Sequence, residues 1–189
     1  MEGAPRFNDG IHMRGDLRVV IRDARTGERL RTIEIRNKIT FLAADVLVEL
    51  LAQRATDPQP PSFPIAAAPL KTPNEIFSMR MGSSNVPASR ADTNLGAFVI
   101  GKELLDVNKV TGVPGELEFI ASLGTADANG ATLQEAGLFT RGDALTPTPS
   151  DPPGTVPGQP RMFARQIHPA VPKTSAISLD YSWRIGFSA

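Results

Sequence analysis

The chain has no cysteine, two histidines, one tyrosine and one tryptophan. The missing thiols exclude disulfides, thiol nucleophiles and cysteine-based zinc sites. His12 and His168 are too few for most histidine-rich metal sites. An excess of either charge is missing too: 20 Lys plus Arg balance 20 Asp plus Glu, for a formal net charge of zero. Such a chain has no broad positive field for a phosphate backbone, so nucleic acid is not an expected partner. Weak self-repulsion instead suits a protein that packs beside other subunits. No apolar run approaches the roughly 18 residues that span a bilayer, so no membrane helix is expected. Residues 1–10 contain no apolar stretch of the secretory type, and synthesis in a cytoplasm is the expectation.

What the chain does have is alternation. Ile177, Leu179, Tyr181, Trp183 and Ile185 alternate with Ser178, Asp180, Ser182, Arg184 and Gly186. A period of two sends each set to one face of a strand. The only Tyr and the only Trp therefore point together into a buried sheet face, and the fold is expected to run through to the last residues. Leu17, Val19 and Ile21, then Ile33 and Ile35, alternate around Asp23-Ala24-Arg25-Thr26-Gly27-Glu28, which predicts a β-hairpin over residues 15–36. Further strands are expected over Ile76–Met81, Ala97–Asp106, Glu116–Leu123, Ala136–Arg141, Met162–His168 and Ser175–Phe187. Residues 40–54 change period: Leu42, Val46, Leu47, Leu50 and Leu51 recur at helical spacing behind Thr40 as a cap. The pattern predicts a single mostly β domain over residues 1–189, an antiparallel β-sandwich or barrel-like body of about eight strands with one helix.

Two segments break the pattern. Residues 57–74 hold six prolines around Phe63, Ile65 and Leu70, and residues 145–160 hold six prolines and two glycines. Proline has already lost backbone freedom, so such a segment costs little to order against a neighbour. Both are expected to be excursions from the β body. The first is read as an extended arm that binds a partner through Phe63, Ile65 and Leu70, the second as a loop or arm.

Candidate chemistry is thin. Gly82-Ser83-Ser84-Asn85 lacks the strand-to-helix turn of a nucleophile elbow, and a serine-rich turn is expected there. Gly124, Gly130 and Gly137 are too scattered to cradle a phosphate. Arg14-Gly15-Asp16 and Arg141-Gly142-Asp143 are read as turns at strand ends, not receptor motifs. Glu116 and Glu118 share a strand face roughly 7 Å apart, near the spacing of glycosidase carboxylates, but on the side expected to face water. Asp23 with Glu28 is a second carboxylate pair. His168 lies near Lys173 and Pro169 with no evident carboxylate to orient it as a base. No catalytic residue, cofactor or metal is expected.

Several stretches, in order, carry a likeness. They are the hairpin from Gly15 to Glu28, Arg36-Asn37-Lys38-Ile39-Thr40 and Met79-Arg80-Met81-Gly82, followed by Ala91-Asp92-Thr93-Asn94-Leu95-Gly96. Leu133-Gln134-Glu135-Ala136-Gly137-Leu138-Phe139, Phe163-Ala164-Arg165, Lys173 and Leu179–Phe187 complete the set. Together these resemble structural proteins of tailed bacteriophages, of the tail, tail-fibre and generic virion kinds. The resemblance implies a virion component without enzymatic activity, assembled in the bacterial host cytoplasm. Its partners would be other virion proteins and its own copies, with a trimer as one candidate state. A tail-associated place (baseplate, collar or fibre attachment) is favoured over capsid decoration or cement. A carbohydrate- or receptor-binding module is the rival from another class.

Overall fold

A computed structural model describes residues 12–39, 76–113, 115–141 and 160–188. The expected helix over 40–54, the first proline-rich segment with Phe63, Ile65 and Leu70, and the second up to residue 159 lie outside the described residues. Nine strands are described: β1 (His12–Asp23), β2 (Arg29–Ile39), β3 (Ile76–Gly82), β4 (Phe98–Glu103), β5 (Asp106–Lys109), β6 (Glu116–Leu123), β7 (Thr132–Thr140), β8 (Met162–Pro172) and β9 (Ile177–Ser188). All pairings are antiparallel, in the order β4-β3-β7-β8-β2-β1-β9-β6-β5. No helix occurs among the described residues.

The ladder folds into two layers. The first sheet is β2-β1-β9-β6-β5 and the second is β8-β7-β3-β4. β2 joins them: it pairs with β1 up to Asn37, then Lys38 and Ile39 pair with Arg165 and Ala164 of β8. The opposite side closes at the β4–β5 corner, where consecutive residues bond to different sheets. Leu104 N–H donates to the Phe77 carbonyl of β3 at 3.0 Å, and Leu105 N–H to the Ile120 carbonyl of β6 at 2.8 Å. Strands that switch sheets at corners give a sandwich its barrel-like outline.

The alternation of β9 organises the core. Trp183 lies between Leu17 of β1 and Phe119 of β6, Tyr181 between Val19 and Ala121, and Leu179 between Ile21 and Leu123. All nine are buried. Each large ring or aliphatic chain removed from water contributes about 1.5–3 kcal/mol. Met79, Met81, Leu133, Ala136, Leu138 and Ala164 face them from the second sheet. His168 of β8 reaches across and meets the Tyr181 ring at 5.9 Å between centroids.

Four expectations need correction. Ala97–Asp106 is not one strand but the whole of β4, a corner at Leu104 and Leu105, and the first residue of β5. β5 is exposed at every position, so it carries no alternation to read. The strand predicted over Ala136–Arg141 starts earlier, at Thr132, because a bulge between Leu133 and Glu135 breaks its period. β8 does not stop at His168 but runs through Pro169 to Pro172. Its ladder to β7 is interrupted between Leu133 and Glu135, opposite Pro169, where a missing N–H costs little. Arg14-Gly15-Asp16 is not a terminal turn: it lies inside β1, with all three residues paired with β9 and Gly15 and Asp16 also with β2.

Candidate functional site

In the second sheet β7 buries both of its faces, and the segment 83–97 between β3 and β4 supplies the outer cover. β7 is closed to water at nearly every position from Leu133 to Thr140. The bulge keeps Leu133 in the core while turning Glu135 outward beneath the segment. Glu135 is fully buried there. Its Oε1 accepts from the backbone N–H groups of Ala97 at 2.8 Å and Ser84 at 3.2 Å. Its Oε2 accepts from Gly96 N–H at 3.0 Å and from Arg165 Nε at 2.9 Å, with Arg165 Nη2 at 2.8 Å.

Arg165 extends the clamp to the middle of the loop. Its Nη1 lies 2.6 Å from Asp92 Oδ2, and its Nη2 donates to the Val86 carbonyl at 3.2 Å. Burial alone would push the Asp92 carboxyl up; the Ser89 N–H and the Arg165 guanidinium outweigh it and hold it below the usual carboxylate range. Burial likewise works against the Arg165 charge, and the two carboxylates overcome it and raise its pKa. A buried charge group is tolerated only when every polar atom is answered, and this one is.

Glycines make the close approach possible. A Cβ on Gly82 would stand 2.3 Å from the Ala97 carbonyl oxygen and 2.3 Å from Glu135 Oε1. One on Gly96 would meet Ser84 Oγ at 2.5 Å, and one on Gly137 would meet Phe139 Cε2 at 2.9 Å and Leu95 Cδ2 at 3.0 Å. Leu95 then packs with Phe139 and Met162 in a small apolar cluster of its own. The loop thus stands as a fixed surface feature, with Val86 61% exposed.

A second feature is the outer face of the first sheet. Arg14 pairs with Glu116 at 3.1 Å, Arg18 with Glu34 at 3.5 Å and Arg184 with Glu118 at 3.2 Å. The Ser182 hydroxyl also donates to Glu118 and is the main reason that carboxyl is held low, with Arg184 adding to it against burial. Glu116 is buried under its arginine partner, not bathed in water as expected; Glu118 is half-buried. Each carboxylate is held by an arginine.

The other described residues singled out from the sequence are held by local contacts, and Gly142 and Asp143 lie outside the described residues. His168 is buried, its Nδ1 2.9 Å from the Pro169 carbonyl, and burial lowers its pKa. Lys173 is buried too, donating to the Thr174 carbonyl at 2.8 Å; burial pulls its pKa down, with Asp127 working against that. Asp23 caps its own turn by accepting from Thr26 and Arg25 N–H groups, which lowers its pKa. Ser83 and Ser84 open the clamped loop, with Ser83 N–H bonded to the Ala97 carbonyl. Among the described residues no three His, Asp or Glu side chains converge on a metal-sized site. Glu135 was missed as a site residue. Its signal was a lone acid inside an apolar strand, two residues before a glycine.

No family model, curated protein or solved structure matches this chain.

Proposed function

We propose that the chain is a non-enzymatic structural subunit of a tailed-bacteriophage particle, assembling with other virion proteins and with its own copies. The observation that carries this reading is where the likeness falls in space. Gly82, Asp92, Leu95, Gly96, Glu135, Gly137, Phe139 and Arg165 come from four of the stretches that together resemble phage structural proteins, and they meet in one clamp. Such mutual dependence gives those stretches a common physical purpose: holding a loop rigid on a β-sandwich. A rigid loop loses little entropy on docking, which favours an assembly role. Tail attachment remains the favoured place, with a trimer as one candidate state.

The carbohydrate-binding rival needs exposed rings; Tyr181 and Trp183 are both 0% exposed, and Phe98, at 59%, is the exposed ring among the described residues. The test is the copy number of this chain in purified particles, by quantitative mass spectrometry. A small copy number in threes or sixes per particle supports a tail place, hundreds support capsid decoration, and absence from the particle overturns the proposal.

A further inference from the structure

Arg36 on β2, Asp16 on β1, Arg184 on β9 and Glu118 on β6 stand in register. Directly opposed residues of antiparallel strands share one face at about 4.5–5.5 Å. The four therefore form one row across the first sheet that reads plus, minus, plus, minus. Arg184 and Glu118 pair with each other, whereas Asp16 and Arg36 make no ion pair among the described residues. The face is open: Arg14 is 63% exposed, Glu34 71% and Arg184 46%. A groove of about 550 Å³ runs among Asp16, Arg18, Arg36 and Arg184.

We propose that this face binds the same face of a second copy, about a two-fold axis parallel to the strands and midway between β1 and β9. That operation reverses the row. Arg36 then faces the partner's Glu118, and Asp16 faces the partner's Arg184, so both unpaired charges gain an opposite. The neighbouring rows agree. Glu34–Arg18–Ser182–Ile120 sets Glu34 against the partner's Ile120 and Arg18 against the partner's Ser182. Thr32–Val20–Asp180–Ser122 sets Asp180 against the partner's Val20. No like charges meet. Moving the axis onto β1 would oppose Asp16 to its own copy and Arg36 to the partner's Arg184, so the charges disfavour an axis on a strand, and the midpoint between β1 and β9 overlaps all four strands. A chain of zero net charge adds no long-range repulsion.

The contact extends the assembly reading by naming one homotypic surface, and it can fail or succeed independently of the particle count. Sedimentation velocity on the full chain at roughly 100 µM should show a dimer of about micromolar affinity. Its dissociation constant should rise about tenfold or more as salt is raised from about 50 to about 500 mM. Asp16→Arg and Arg184→Asp should each sediment as monomers, because each sets like charges across the axis. Mixed one to one, the two variants should form a heterodimer, since every facing pair is then opposite. Near-ultraviolet circular dichroism from buried Trp183 checks that each is folded. Should Arg184→Asp unfold, Asp16→Arg alone decides, with Asp16→Asn expected between it and the parent. A monomeric parent chain, a dimer indifferent to Asp16→Arg, or folded variants that fail to pair on mixing would overturn the proposal.

Discussion

Arg165 Nε and Nη2 both point at one oxygen of Glu135, 2.9 and 2.8 Å away, in a site where neither residue is more than 3% exposed. The pair does not merely neutralise itself. Through Glu135 it ties down the two ends of the 83–97 loop, and through Arg165 its middle.

Removing one partner should therefore cost more than removing both. Glu135→Ala leaves the buried guanidinium with Asp92 alone for its charge and orphans three backbone donors, and should destabilise by about 3–5 kcal/mol in urea titrations. Glu135→Met combined with Arg165→Met should recover part of that loss, with the loop still more open to protease. Additive losses in the double variant would contradict the coupling.

Gly82→Ala should cost at least about 1–3 kcal/mol, because its new methyl meets backbone and the clamp carboxylate. Gly124→Ala is the matched control. Its Cβ would find only Asp127 Oδ2 at 3.7 Å, an ordinary contact, so a change of no more than about 1 kcal/mol is expected. Equal thermal shifts in the two variants would count against the close approach.

Two pH windows should separate. Burial holds the His168 imidazole below its ordinary value, so below about pH 6.5 the unfolded chain binds the proton more readily. Its contribution is complete above that pH and is lost as pH falls toward the folded value. Asp92, Glu118 and Asp127 have lowered values, so their contribution is present above about pH 4 and lost as pH falls below it. Urea midpoints measured from about pH 7.5 down to about pH 3 should fall in two stages. His168→Phe should flatten the upper stage alone, and Asp92→Asn should shrink the lower one.

Trp183→Ala should cost about 3–5 kcal/mol, because the ring is enclosed between Leu17 and Phe119. Tyr181→Phe should differ. The Tyr181 hydroxyl is buried with no hydrogen-bond partner among the described residues, so losing it should be neutral or mildly stabilising in thermal melts. A loss above about 2 kcal/mol would mean the hydroxyl is bonded after all.

Alternation made the first sheet legible. Leu17, Val19 and Ile21 and the run from Leu179 to Ile185 face a single core, and period two survives wherever one face is buried and the other is wet. The second sheet was harder to read because β7 is buried on both faces, so Leu133-Gln134-Glu135-Ala136-Gly137-Leu138-Phe139 has no polar side to alternate with. The clamp was invisible for a different reason. Its members lie up to 83 positions apart (Gly82 to Arg165), and only the pairing of β3, β7 and β8 brings them together. The glycines at 82, 96 and 137 were present in the sequence as spacing, without the neighbours that explain them.

Hydrogen exchange at the Ser84, Gly96 and Ala97 amides, followed by NMR in the parent chain and in Glu135→Gln, tests most directly whether one buried carboxylate fixes the loop. The account predicts slow exchange at all three in the parent and much faster exchange in the variant, with amides of β9 unchanged. Rapid exchange in the parent, or equal protection in both proteins, would contradict it.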